Sequence, residues 1–201
     1  MLAPAVVVRE ADLAPPGFDA RRSARSRSYR YVVLVAPAPD PLLAHVTWHV
    51  RDDLDMRTMA AAADSLLGEH DFAAFCRRPP GTAPGQPIPR RVLDARWSLV
   101  PSVPWLAQEF AQRVGEESGE SPPGPRGGAR STQLLQFDIR AQSFCHQMVR
   151  SIVGALVDVG RARRRASDVT WLLQSGDRSR ANTVAPPQGL CLMGVEYGSE
   201  A

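Results

Sequence analysis

The chain has 201 residues, 44% of them hydrophobic, and a formal net charge of +3. That length and apolar content suffice for one ordinary domain with a real core, which excludes a wholly disordered chain. No apolar run approaches the ~20 residues of a membrane-spanning helix, and the opening MLAPAVVVRE lacks the basic start and long apolar stretch of a secretory signal, so a soluble, cytoplasmic protein with no membrane partner is expected.

In chain order, residues 4–10, PAVVVRE, read as a short strand, and residues 27–36, RSYRYVVLVA, as the strongest strand, rich in β-branched and aromatic side chains. The Pro-rich APAPDP ends it, and residues 45–50, HVTWHV, alternate like a half-buried strand. Asp53 or Asp55 is placed to cap a helix over residues 55–67, in which Met56, Met59, Ala60, Ala63, Leu66 and Leu67 fall at helical spacing and Gly68 supplies the stop. Residues 90–100 and 132–141 read as further strands. Between them, residues 113–131 are rich in Gly, Pro, Ser and Glu and read as a flexible insertion. Residues 143–159 read as a helix, a second helix near 167–175 starts from Ser167 as its N-cap, and residues 189–197 close the chain as a strand. Strands and helices mix without regular βαβ alternation, which predicts an α+β domain. Residues 1–112 and 132–201 are then two parts of that one domain, interrupted by the insertion.

Cys76, Cys145 and Cys191 are odd in number and widely spaced, so neither a disulfide framework nor a zinc site is expected. There is no lysine; all 24 basic side chains are arginine. Arginine forks onto phosphate and stays charged at any physiological pH, although GC-rich codon usage yields the same bias without a functional reason.

Three segments carry potential chemistry. FDARRSARSRSYRY, residues 18–31, packs Arg21, Arg22, Arg25, Arg27 and Arg30 around Tyr29 and Tyr31. Arginine neutralises phosphate and rings stack on bases, so the segment suits a nucleic acid; it equally suits a solvated strand edge kept from aggregating by charge. In a strand, Tyr29 and Tyr31 share one face and Arg30 takes the other. The second segment is the helix around Arg150, where Phe144, Met148, Val149, Ile152, Val153 and Leu156 form a broad apolar arc. Arg150 lies close to that arc and needs an anion there, unless its stem carries the charge out to water. Gly154, one turn on, lets another backbone or a ligand approach. The third segment, APPQGL at residues 185–190, is by itself a turn signal feeding the last strand.

Together these segments resemble the TruA family of tRNA pseudouridine synthases. FDARRSARSRSYRY, LLGEHDFAAF (66–75), FCHQMVRSIVGALVDVG (144–160) and APPQGLCLMGVEY (185–197) occur in the family's order and span essentially the whole chain outside residues 113–131. The resemblance implies the α+β pseudouridine synthase fold: a mixed or largely antiparallel sheet with helices on one face, two similar halves meeting around a basic cleft. It implies isomerisation of uridine in the anticodon stem-loop (positions 38–40) by a homodimer, with tRNA as partner and without cofactor or metal. By position, Tyr29 matches the tyrosine that stacks on the target base, Arg150 the arginine that pairs with the catalytic aspartate, and Leu190 an apolar residue near the base. Arg21, Arg25, Arg27 and Arg30 lie in the stretch that helps to form the RNA surface.

The family's catalytic aspartate belongs to a G-R-T-D-x-G-V-H motif, and no aspartate of these 201 residues follows Gly-Arg-Thr. The expectation is therefore a chain equivalent to the C-terminal half of such an enzyme, inactive alone. A start codon placed downstream of the true one, a decayed gene, and a half supplied by another protein all fit that pattern. A non-catalytic RNA-binding or dimerising remnant is the alternative reading.

Overall fold

The computed structural model describes residues 6–78, 85–100, 132–181 and 183–198. Within them the chain builds a six-stranded mixed sheet. Its strands are β1 (Ala24–Val35), β2 (Trp48–Val50), β3 (Gly68–Asp71), β4 (Pro89–Val100), β5 (Gln133–Ala141) and β6 (Leu190–Tyr197). The order is β2-β1-β5-β4-β3, with β6 also against β1. On one edge β1 pairs antiparallel with β6 along Ala24–Tyr31 and parallel with β2 along Val33–Val35; on the other it pairs antiparallel with β5. The α+β expectation holds, and the strand expected at 27–36 is the centre of the fold.

Alternation sets the two faces. Tyr31, Val33 and Val35 on β1 and Leu135, Phe137, Ile139 and Ala141 on β5 are buried on one side. In β4 the register shifts between Val92 and Asp94, so Val92, Ala95 and Trp97 all reach the core although their spacing breaks strict alternation. The opposite face is polar: Arg30 meets Asp138 at 2.8 Å, Arg96 meets Asp94 at 2.9 Å and Arg140 meets Glu196 at 3.4 Å. These pairs are part-exposed, and each contributes at most about 1 kcal/mol.

The helices α1 (Met56–Asp64), α2 (Met148–Gly160) and α3 (Ala166–Ser175) join the apolar face in one core. Asp55 caps α1, its carboxylate accepting from the Arg57 and Thr58 N–H groups. The helix ends at Asp64, short of the expected 67, and Gly68 takes its left-handed φ of +97° where β3 begins. α2 starts at Met148, five residues after the expected start, because Gln147 adopts a left-handed φ of 64°. The N-cap residue of α3 is Arg165, not Ser167, and the Asp168 carboxylate in the first turn reaches back to accept the Arg165 N–H at 2.9 Å. The strand expected at 4–10 is absent over residues 6–10, which are exposed and unpaired with the sheet. The insertion expected at 113–131 lies outside the described residues.

The expectation that these cysteines form no disulfide is overturned. Cys76 and Cys145 are joined by a disulfide, with Cα atoms 5.6 Å apart across a sequence separation of 69. Spacing along the chain hid this, because the single helical turn Ala73–Phe75 docks beside the loop leading into α2, where the Arg77 N–H donates to the His146 carbonyl at 2.9 Å. Cys191 is free and exposed. Among the described residues no helix is long and apolar enough to cross a membrane.

Candidate active site

Every residue of α2 is buried except Arg150, which is half-buried in the first turn. Its position is fixed from two directions. The Arg150 Nε–H donates to the Ala185 carbonyl at 2.6 Å, and the Ala185 N–H donates to the Arg150 carbonyl at 3.0 Å. The segment 183–185 can come this close because residue 154 is glycine: a Cβ there would sit 2.7 Å from the Thr183 carbonyl carbon and would overlap its oxygen. The backbone approach expected at Gly154 is thus present, and it serves to hold Arg150. Among the described residues no carboxylate lies within ion-pair distance of the Arg150 guanidinium.

Tyr31, on the central strand, completes this corner. Its hydroxyl donates to the Pro186 carbonyl at 2.6 Å. Gly189 packs on its ring, where a Cβ would fall 2.7 Å from Tyr31 Cζ. Burial pushes the phenol well above its ordinary value of 10.0, while the positive charge of Arg150 acts in the opposite, weaker direction. The folded protein therefore keeps the Tyr31 proton above pH 10, where the unfolded chain gives it up. Protons are then held in excess by the folded state, and stability falls as the pH rises through that range. Tyr31→Phe is expected to remove this part of the alkaline decline while costing about 1 kcal/mol at neutral pH for the lost hydrogen bond; urea unfolding at neutral pH and above pH 10 measures both.

Tyr29 lies on the same face of β1, half-buried, with its ring edge-on to Phe144 at 5.1 Å and 85°. Leu190 stands opposite Tyr31 in the β1–β6 register and is partly buried against the core. Tyr29 and Leu190 therefore lie along the β1–β6 pair, and Tyr31 between them is bonded to the turn 185–186 that holds Arg150. The basic residues divide. Arg27 shares the tyrosine face, and its guanidinium donates to the Arg21 carbonyl at 2.9 Å; Arg25 lies over Gly198. Arg30 points to the other side and is neutralised by Asp138. Sequence reasoning missed Tyr31 as a support for this corner. The glycine of PQGL was its signal, since a residue that must be glycine marks a close neighbour.

Helices packed on one face of a mixed sheet, with Tyr31 of its central strand bonded to the turn that holds Arg150, form the α+β arrangement of the pseudouridine synthase fold. The family model described as tRNA pseudouridine synthase matches residues 62–198. A protein named tRNA pseudouridine synthase A from Syntrophotalea carbinolica is 35% identical over 97% of this chain and 64% of its own length. Proteins of the same name are 34% identical in Geotalea uraniireducens, over 96% of this chain and 65% of that protein, and 38% identical in Frankia casuarinae, over 92% and 55%. The chain belongs to the tRNA pseudouridine synthase family, and it spans 64–65% of the length of the first two relatives.

Proposed function

We propose that this chain supplies the base-binding and carboxylate-pairing face of a tRNA pseudouridine synthase. The observation that carries the reading is Arg150: a half-buried guanidinium, gripped at Nε by the Ala185 carbonyl, with no carboxylate beside it among the described residues. A fixed charge in an apolar setting is costly without an anion. The aspartate of a G-R-T-D motif, contributed by the part of the relatives' length that this chain does not span, is the anion that fits. The arginine then holds that carboxylate ionised. Tyr29 stacks on the extruded uracil, Leu190 closes the apolar side of its pocket, and Tyr31 fixes the turn that holds Arg150. The substrate is the anticodon stem-loop of tRNA, whose target base must leave its stack before reaction. Arg21, Arg25 and Arg27 face the RNA backbone, and Arg30, pinned to Asp138, takes a lesser part. Residues 1–112 and 132–201 act as one domain. The working enzyme is a cytoplasmic homodimer and needs no cofactor.

The test is complementation. The 201-residue chain alone is expected to release no tritium from C5-labelled uridine in tRNA. Adding a polypeptide that carries the G-R-T-D half of a relative is expected to restore release. Turnover by the chain alone, or none from a folded and associated pair, would sink the reading.

A further inference from the structure

Three separated segments converge beside the first turn of α2. Residues 76–78 arrive after the helical turn Ala73–Phe75, residues 145–147 lead into α2, and residues 178–180 form a single helical turn packed on the first. The Cys76–Cys145 disulfide and the Arg77-to-His146 backbone bond tie the first two together. The third is tied in by Arg178, whose Nη2 donates to Gln147 Oε1 at 2.9 Å.

The charges at this junction do not balance. Arg178 Nη1 is buried and has no hydrogen-bond partner among the described residues. Burial, and after it the like charge of Arg77, holds the Arg178 guanidinium below its ordinary value. The adjacent acid does not compensate: Asp177 accepts from the Ser179 N–H at 2.9 Å and Oγ–H at 2.7 Å, and its opposing charge is Arg180. A buried donor left open is destabilising, and a like charge beside it adds repulsion. Elsewhere in this fold arginines at such junctions have acids, as Arg161 has Asp52 at 2.7 Å and Arg164 has Asp158 at 3.9 Å.

An anion removes both penalties at once. The position identifies which one, granted the reading of this chain as part of an RNA-modifying enzyme. Gln147 is one helical turn before Arg150, and Phe144, which edges Tyr29, is three residues earlier still. We propose that Arg77 and Arg178 jointly hold one phosphate of the RNA backbone next to the nucleotide whose base stacks on Tyr29. Arg178 supplies the fixed, pre-oriented donor; Arg77, exposed, closes on the phosphate from the solvent side.

The experiment uses the 201-residue chain and an anticodon stem-loop RNA, with affinity measured against salt. Arg77→Gln and Arg178→Gln are each expected to weaken binding about 10-fold and to lower the slope of log K on log salt by about 0.7–0.9, the value for one phosphate. If one phosphate is shared, the double variant binds hardly worse than the weaker single variant. Losses that multiply to about 100-fold, with a slope lowered by about 1.4–1.8, would mean two separate contacts and overturn the proposal. So would unchanged binding in Arg77→Gln, an exposed position whose replacement leaves the core intact. Arg178→Lys, which keeps the charge but not the fork, separates loss of the phosphate from loss of the Gln147 contact: recovery of the slope without full affinity is expected. If the wild-type chain binds no RNA, inorganic phosphate titrated against the ¹⁵N signal of Arg178 Nε decides. Movement that disappears in Arg77→Gln keeps the two-arginine anion site and overturns its assignment to RNA; no movement overturns the site itself.

Discussion

Gly154→Ala is expected to destabilise the chain by about 4 kcal/mol, the upper end of what one methyl group does. The added carbon would overlap the Thr183 carbonyl oxygen and sit 2.7 Å from its carbon. Neither partner can yield cheaply. Gly154 is in the middle of a helix buried along nearly its whole length, and the opposing atoms are backbone, anchored by the Ala185-to-Arg150 bond and by Thr183 Oγ1, which donates to the buried Asp158 at 2.6 Å. Against a typical total stability of 5–15 kcal/mol the loss is a large fraction. Chemical denaturation checks it, with Gly194→Ala as the control: no atom lies within 4 Å of a Cβ built there, and that variant is expected within about 0.5 kcal/mol of the parent. A Gly154→Ala protein as stable as the parent would mean that segment 183–185 does not pack as described.

Arg150→Ala is expected to lower turnover about 1000-fold in a complete enzyme, on the order of 4 kcal/mol in the barrier. Two losses combine. A carboxylate paired with this residue as proposed loses the charge that keeps it ionised, so the acid limb of the pH–rate profile should move toward neutrality. The segment 185–186 also loses a side-chain anchor, and a shift of 1 Å at a reacting centre costs about 100-fold. Arg150→Lys divides the two: it restores charge without the Nε–H that reaches the Ala185 carbonyl, so the pH profile should recover more than the rate. Turnover and pH dependence on a stem-loop substrate check both variants. An Arg150→Ala enzyme with the parent's rate and pH profile would remove Arg150 from the mechanism.

The sequence made the centre of this fold legible where one signal dominated. RSYRYVVLV is dense in β-branched and aromatic side chains, and the apolar arc of α2 is broad enough to demand a buried helix. Local patterns failed where a distant contact decided. VVV near the N-terminus has strand composition, yet residues 6–8 find no neighbouring strand and stay exposed. GEHD, four residues with two acids and a histidine, gives no strand signal but pairs with Pro89–Val92. The disulfide partners are unremarkable in sequence because only the docking of a single helical turn brings them together. At the site, Tyr29, Arg150 and Leu190 are candidates through the family motifs, whereas Arg150 is fixed by the backbone of Ala185 and Tyr31 by the Pro186 carbonyl, contacts that no side-chain pattern encodes. Arg30 was grouped with the basic residues because its partner, Asp138, lies 108 residues away.

The central strand also sets a schedule. β1 pairs with β5, which ends at Ala141, and with β6, which ends at Tyr197. At roughly 5–20 residues per second a ribosome takes on the order of 10–30 s to travel from the end of β1 to the end of β6. For that interval YRYVVLV is a finished hydrophobic strand without its last partner, the kind of segment that captures other nascent chains. The arginines at 25, 27 and 30 interrupt and flank it. Charge placed in and beside such a strand disfavours its pairing with other chains, whatever else those arginines do in the folded protein.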